Sequence, residues 1–449
     1  MDMNELRNKI RLHFTDEGIK KIVFNAGWIF SDNIFRFIVN MIVTIWLARH
    51  LGPIGFGTLN YAIAFVAMFT IFAGLGLNNV VIRDIVKYPD KKDEILGSAF
   101  FLKVFGGIAA FVLAILVIFL LKPHDLQTVI LVTIIGFGLI FQTTDIIDSF
   151  FQSQVKAKYS AWSGDAAFFL MELLEVIFIL TNAHLSYFAI TYAGEILLTQ
   201  VGYFLFYRKL GGSIKKWKIN FQLVKQLLQN SWSYMLYAVF MTFMIKIDKI
   251  MVGNILGSAS LGYYSAATSL AEPWIFVPSA ITFSIFPALI RSKNAGEEIY
   301  SKRLQKLYNL MVIISVAVAI LTTIFAKEMV FLLYGKAYAT AGKILPIYIW
   351  SEVFIFLEAA SIRWYLAENL QKYALARVLC GIPISIILNL LLIKRFGLIG
   401  AAMSTVLTQL IIVYLLSAVF KKTRPVFIAH SKSFRGLISP VATIKSLFE

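Results

Sequence analysis

Apolar residues run through this chain in long blocks separated by short polar breaks. The blocks fall near residues 21–50, 58–81, 96–121, 126–150, 160–182, 186–207, 231–257, 261–288, 307–326, 343–366, 373–393 and 398–420. A hydrocarbon layer about 30 Å thick needs about 20 apolar residues of helix to cross it. Lipid offers no partner to an unpaired backbone group, so helices are the open-chain solution. The pattern predicts twelve membrane-spanning helices joined by short loops, with no inserted soluble domain.

The pattern also repeats. Asn25 aligns with Asn230, Phe35 with Phe240, Ile45 with Ile250, Leu51-Gly52 with Leu256-Gly257, Gly57 with Gly262 and Ala62 with Ala267, all at one gapless offset of 205 residues. Two related halves of six spans each are expected, arranged as parallel repeats about an axis along the membrane normal. The fold class that follows is an all-α polytopic membrane protein with two pseudo-symmetric six-helix lobes. The N-terminal lobe covers 1–210 and the C-terminal lobe 231–420. Between them, 211–230 reads as a cytoplasmic linker whose second part, from Phe221 to Leu228, is a short amphipathic helix on the inner leaflet. Residues 421–449 read as a basic cytoplasmic tail.

Composition agrees and adds an orientation. Of 449 residues 59% are apolar and 15% charged, with mean hydropathy +0.76, which excludes a soluble globular domain of this length. The net charge of +17 is read as topology rather than as a nucleic-acid footprint. With the N-terminus cytoplasmic, cytoplasmic segments hold 29 of the 42 lysines and arginines and the opposite side holds 7. Both termini are therefore expected on the cytoplasmic side. Residues 1–20 are polar and do not read as a cleavable signal. The lone Cys380 says nothing of the redox compartment.

Charge inside a span is costly and must face protein or water. At 100° per residue, Asn25, Asp32, Arg36 and Asn40 share one stripe of the first span, with Asn33 at its edge. The stripe either holds an Asp32–Arg36 pair with amides joining helices, or lines a hydrated central cavity; the two are compatible. The seventh span carries Lys246, Asp248 and Lys249. Two cations against one carboxylate leave positive charge that an anionic substrate group would balance, unless a neighbouring acid such as Glu172, Glu175 or Glu358 does so. Arg363 and Arg377 lie near span ends and Lys103 just inside the third span, where snorkelling to the headgroups is the expected reading. The buried acids, singly structural, include candidates for a coupling proton or sodium ion. Arg83-Asp84, just inside the second span, would cap or pair at the cytoplasmic end. Gly52, Gly55, Gly57, Gly257 and Gly262 mark the outer turns.

Several classes are disfavoured. No P-loop or G-x-G-x-x-G opens a helix, so no nucleotide engine is expected. Five dispersed histidines offer no metal-ligand cluster. No metal or cofactor is expected, and a gradient or the substrate supplies the energy.

Ala48-Arg49-x-Leu51-Gly52-Pro53-x-x-Phe56-Gly57 resembles the start of the Wzx-type oligosaccharide flippases of the MOP exporter superfamily. So do Gly76-Leu77 with Arg83-Asp84, Ile247 to Gly253, Gly262 to Ala267, Leu333-Tyr334-Gly335-Lys336-x-Tyr338 and Phe396-Gly397-x-x-Gly400-Ala401-Ala402. The resemblance covers nearly the whole chain in order. Lipid II flippases of the same superfamily usually carry two spans more than the twelve expected here, which disfavours that branch. The resemblance implies a V-shaped MOP/MATE-like bundle that alternates between inward- and outward-open states. It would move an undecaprenyl-pyrophosphate-linked oligosaccharide, such as an O-antigen unit, across the bacterial cytoplasmic (inner) membrane. Members have a cationic central cavity, for which Arg36, Lys246, Lys249 and Arg363 are the candidates here. Asn25, Asn33, Asn40, Tyr234 and Tyr237 would bond the glycan. Asp32, Asp248 and Glu358 would pair with the cations or carry the coupling ion. Arg49, Arg83 and Asp84 would gate. The partners expected are the lipid-linked oligosaccharide, membrane lipids, a coupling proton or sodium ion and other polysaccharide-assembly proteins; no nucleic acid is expected. The rival readings are a MATE-like cation-coupled drug exporter, a membrane polymerase or glycosyltransferase acting on lipid-linked sugars, and a passive scaffold.

Overall fold

The computed structural model describes residues 16–437, with side chains from residue 35 on except at 287, 294 and 295. The described residues are helical without a strand, and each of the twelve expected spans is helix. Helix α1 (Asp16–Gly74) carries the first two spans and α2 (Leu77–Lys87) extends the second. Then follow α3 (Lys92–Leu121), α4 (Leu126–Phe141), α5 (Ile146–Ser153), α6 (Lys158–Leu180), α7 (Leu185–Lys209) and α8 (Phe221–Leu256). The remainder comprises α9 (Ser258–Ala271), α10 (Phe276–Ala295), α11 (Glu297–Tyr334), α12 (Ala341–Tyr348), α13 (Ser351–Ala367), α14 (Gln371–Gln409), α15 (Leu416–Val419) and α16 (Arg424–Gly436). Residues up to Ile45 form one compact unit and those from Trp46 a second; the packing below lies within the second.

Among the described residues, eight stretches are long and apolar enough to cross a bilayer, and two of them hold two spans each. The two spans left over are α6, with Asp165, Glu172 and Glu175, and α8, with Lys246, Asp248 and Lys249. Their polar residues lower the apolar signal of helices that are nonetheless 23 and 36 residues long. The apolar faces point outward as lipid requires: Leu120, Leu332 and Leu391 are 79%, 73% and 63% exposed. Helix α8 runs unbroken from Phe221, so the amphipathic stretch expected on the inner leaflet forms the first turns of the spanning helix itself.

The sequence repeat recurs in the backbone. Gly52 (φ 64°, ψ 176°) and Gly257 (φ 82°, ψ 176°) take one conformation, which a side chain would strain. Each turns one repeat's opening helix into the next. The two turns then cross reciprocally. A methyl group on Gly57 would overlap the Ser258 carbonyl, and one on Gly262 would overlap that of Pro53. At the repeat offset Pro53 corresponds to Ser258 and Gly57 to Gly262, so one contact is made twice. Helix association in lipid lacks the hydrophobic drive of water, so such close backbone approach through small residues is what holds it.

Two buried clusters join residues of several helices. One gathers Leu77, Val80, Val81, Ile85, Leu96, Ile147 and Phe151 with Tyr207 and Leu227. The connection to α8 is clipped to it: Trp217 Nε1 donates to Tyr207 Oη at 3.0 Å, and the Lys218 amide to the Asp93 carbonyl at 3.1 Å. The other gathers Tyr300, Leu304, Tyr308, Met311, Phe356 and Trp364 with Val426 of α16. In α16 the wholly buried His430 places Nε2 3.0 Å from Ser361 Oγ, which lies 3.2 Å from Tyr308 Oη. Gln305 Nε2 donates to Ser433 Oγ at 2.8 Å and to the Ala429 carbonyl at 3.1 Å.

Candidate functional site

The polar triplet of α8 divides its work. Asp248 points toward the last two spans. Its Oδ1 accepts from Asn389 Nδ2 at 2.7 Å and Ser385 Oγ at 3.2 Å, and its Oδ2 from Thr405 Oγ1 at 2.7 Å. Ser385 and Asn389 are four residues apart on α14 and so share a face. Tyr264 Oη sits 3.0 Å from Thr405 Oγ1 and supplies the donor once the threonine proton is committed to Asp248. The carboxylate is held by neutral groups, with the buried Asn389 Oδ1 left without a partner among the described residues.

Lys249 turns the other way. Its Nζ lies 3.2 Å from Glu272 Oε1, with the lysine side chain 11% exposed and the glutamate 41%. Of the two alternatives left by two cations against one carboxylate, Lys249 takes balance by a neighbouring acid, and that acid is none of those named from the sequence. Glu272 begins the 3-10 turn Glu272–Ile275, where Pro273 interrupts the eighth span. Lys246 is half-buried and forms no ion pair among the described residues. Tyr234 and Tyr237 are exposed along the same helix.

Two cations depart from the snorkelling expectation. Arg377 is 1% exposed and lies over the Tyr365 ring. Its Nη2 donates to both carboxyl oxygens of Glu358, at 2.9 and 3.0 Å, and Nη1 to the Ile412 carbonyl at 3.3 Å. Ile412 lies in a π-helical turn (Leu410–Leu415), where loosened carbonyls need donors. Lys103 is wholly buried, donating to Asn78 Oδ1 at 2.6 Å and to Asp145 Oδ1. Both had side-chain partners three-dimensional folding supplies, which outweighs the reach to the headgroups. Glu358 is thus a pairing residue. Arg363 is half-buried with its guanidinium 5.4 Å from the Phe286 ring.

The remaining candidates lie elsewhere. Arg36 is half-buried and Asn40 exposed in the first compact unit, and each is partnered. The side chains of Asn25, Asp32 and Asn33 lie outside the described residues. Arg49 donates from Nε to the Leu333 carbonyl at 2.6 Å and from Nη2 to that of Leu332, capping the end of α11. Tyr338 Oη reaches the Ala48 carbonyl at 2.7 Å beside it. Arg83 pairs with its neighbour Asp84 at 2.8 Å. The structure does not bring Arg49, Arg83 and Asp84 into the Asp248 cluster. Sequence reasoning missed Glu272, Ser385, Asn389 and Thr405. A Glu-Pro pair inside an apolar span signals the first, and Ser-x3-Asn in span 11 the next two.

A family model described as polysaccharide biosynthesis protein matches residues 22–293. A second, described as lipid II flippase MurJ, matches residues 173–442. A putative O-antigen transporter of Shigella flexneri is 26% identical, covering 85% of this chain and 94% of that protein. Among solved structures, lipid II flippase MurJ in an inward closed conformation superposes with TM-score 0.69 at 16% identity, covering 92% of each chain. An inward-facing multidrug resistance MATE family transporter of the MOP superfamily superposes with TM-score 0.65 at 15% identity, covering 91% of this chain and 96% of that one. The fold is therefore the MOP-type helical fold of a multi-pass membrane protein. With a matched segment longer than half of its length, this chain belongs to the polysaccharide biosynthesis protein family.

Proposed function

We propose that the protein is a flippase, not an enzyme, which moves a polyprenyl-pyrophosphate-linked oligosaccharide from the cytoplasmic to the outer leaflet of the bacterial cytoplasmic membrane. The observation that carries this reading is the alignment over 94% of a putative O-antigen transporter. The cations on α8 support it. Pyrophosphate and acidic sugars need positive charge and donors, and a lysine inside a span is retained at a cost of about 3 kcal/mol or more. Lys246 and Lys249 would draw the anionic group, with Tyr234 and Tyr237 offering hydroxyls to the glycan. Arg363 and, in its own unit, Arg36 with Asn40 remain candidates for the same work, as do Arg49, Arg83 and Asp84 for gating. Both termini would lie in the cytoplasm.

Asp248 is the coupling-ion candidate best supported by geometry. Its partners are hydroxyl and amide groups, whose oxygens would serve a sodium ion and whose donors would be freed by a proton. The test uses proteoliposomes holding a fluorescent lipid-pyrophosphate oligosaccharide in both leaflets and an impermeant quencher. Wild type should expose the inner-leaflet pool to the quencher, and Lys246→Ala/Lys249→Ala should lose that activity while keeping its melting temperature. No protein-dependent exchange, with or without an ion gradient, would refute the proposal.

A further inference from the structure

Helix α16 folds back along the last span. At its start Arg424 Nε donates to the Ala418 carbonyl at 3.2 Å; farther along, Ser431 Oγ lies 2.9 Å from Tyr414 Oη. The Tyr414 ring also meets those of Phe427 and Phe434, at 4.8 and 5.7 Å between centroids. Residue numbers rise along α16 while they fall along the span, so the two run antiparallel. The second half of α16 is thereby carried back beside the closing turns of the last apolar block rather than out into water. Neutral groups seat it there. Val426, His430 and Ser433 are buried, and Ser433 Oγ donates to Asn309 Oδ1 at 2.8 Å.

The opposite face is cationic. At 100° per residue Arg424, Ile428, Lys432 and Arg435 fall within about 80° of one another, away from the buried three. All four are exposed, Ile428 by 50%. Lys421 and Lys422 precede them, and no acid occurs between Lys421 and Leu437. Lys432 and Arg435 form no ion pair among the described residues. The elements packed against α16 supply none. The π-helical turn and α15 contain no acid. Glu297 and Glu298 stand at the first turn of α11, where Glu298 pairs with Lys302, and Glu328 lies near its far end. On α13 Glu352 is wholly buried and Glu358 is closed on Arg377.

Cations held at the edge of a hydrocarbon layer need a counter-charge. From this arrangement we infer that the exposed face of α16 is a binding surface for the headgroups of anionic phospholipids. Lys432 and Arg435 take the phosphate, the guanidinium through paired N–H donors. Ile428 lies among the first carbons of the acyl chains, a place that water or an acidic soluble protein would not offer it. A basic cluster next to the end of a span is the pattern that acidic lipid attracts. The inference rests on the membrane fold of the chain and not on what the chain transports.

The experiment labels Ile428→Cys with bimane, in the full chain carrying Cys380→Ser, and reconstitutes it in mixed nanodiscs. The fluorophore is quenched by phosphatidylglycerol or by phosphatidylcholine, each brominated high on the acyl chain. The two quenching curves give the relative affinity of the face for the anionic lipid. Each cation near a lipid surface is worth about fivefold, so the two together should favour phosphatidylglycerol by about twentyfold. Lys432→Gln should lose about fivefold of that preference, and Lys432→Gln/Arg435→Gln most of it. Lys432→Arg/Arg435→Lys should keep it. Lys215→Gln/Lys216→Gln, the same loss of charge on the connection before α8, should also keep it, which separates this face from attraction to the whole basic protein. Equal quenching by the two lipids would overturn the inference, as would a preference untouched by the Lys432 and Arg435 changes. Quenching by neither lipid would also overturn it and assign the face to an aqueous partner.

Discussion

His430 offers a quantitative test of how the tail helix is held. It lies outside the twelve spans, on α16, with its ring against Tyr308 at 4.8 Å between centroids and its Nε2 on Ser361. Burial, and then the positive charge of Arg377, pushes its imidazole down from 6.5 to about 3. When α16 opens into water the imidazole returns to its ordinary range. Below pH 6.5 the open form therefore binds a proton that the docked form refuses. Stability of docking is full above pH 6.5 and falls as the pH drops toward 3. Between pH 7 and 5 the loss is about 2 kcal/mol, or about twenty-fivefold more opening. Amide hydrogen exchange over 424–436 in nanodiscs, corrected for the intrinsic pH effect, reads this directly. His430→Gln keeps a partner for Ser361 and cannot titrate, so its opening should not vary with pH. Equal opening of wild type at pH 7 and pH 5, or equal pH response in His430→Gln, would refute the reasoning.

Gly57→Val and Gly262→Val should each destabilise the protein by about 1–3 kcal/mol, because the added carbons meet backbone rather than a movable side chain. Gly74→Ala, whose Cβ would meet nothing within 4 Å, is the control for thermal melts in detergent, and a Gly57→Val melt matching it would count against the crossing. Glu358→Gln strands the buried Arg377 guanidinium and should cost about 3–5 kcal/mol. Glu358→Leu/Arg377→Met should lose less than the single change, and equal losses would mean that the pair is not what holds α13 to α14.

The helices were legible because lipid imposes one simple rule, an apolar block long enough to cross. The 205-residue offset foresaw the shared backbone of Gly52 and Gly257, since only glycine suits that conformation. Side-chain partners were less legible, because pairing depends on which helices become neighbours. Lys103 and Arg377 stand near span ends, where sequence distance to the headgroups argues for snorkelling. Their acids come from other helices: Asp145 lies 42 residues from Lys103 and Glu358 lies 19 from Arg377. Glu272 escaped notice for a related reason. Its weight comes from a helix break that turns one carboxylate toward Lys249, and periodicity arguments assume unbroken helices.

The Lys103 node bears on how the chain enters the membrane. Synthesis delivers α3 before Asp145, and a lysine within a span carries a penalty of about 3 kcal/mol on insertion scales. Asn78 is already made, but the countercharge waits in the following span, beyond the short connection between Leu121 and Leu126. The third and fourth spans are thereby joined as a single helical hairpin for biogenesis. Insertion costs least when the third is held until the fourth arrives, so that the pair enters lipid with its charge already neutralised.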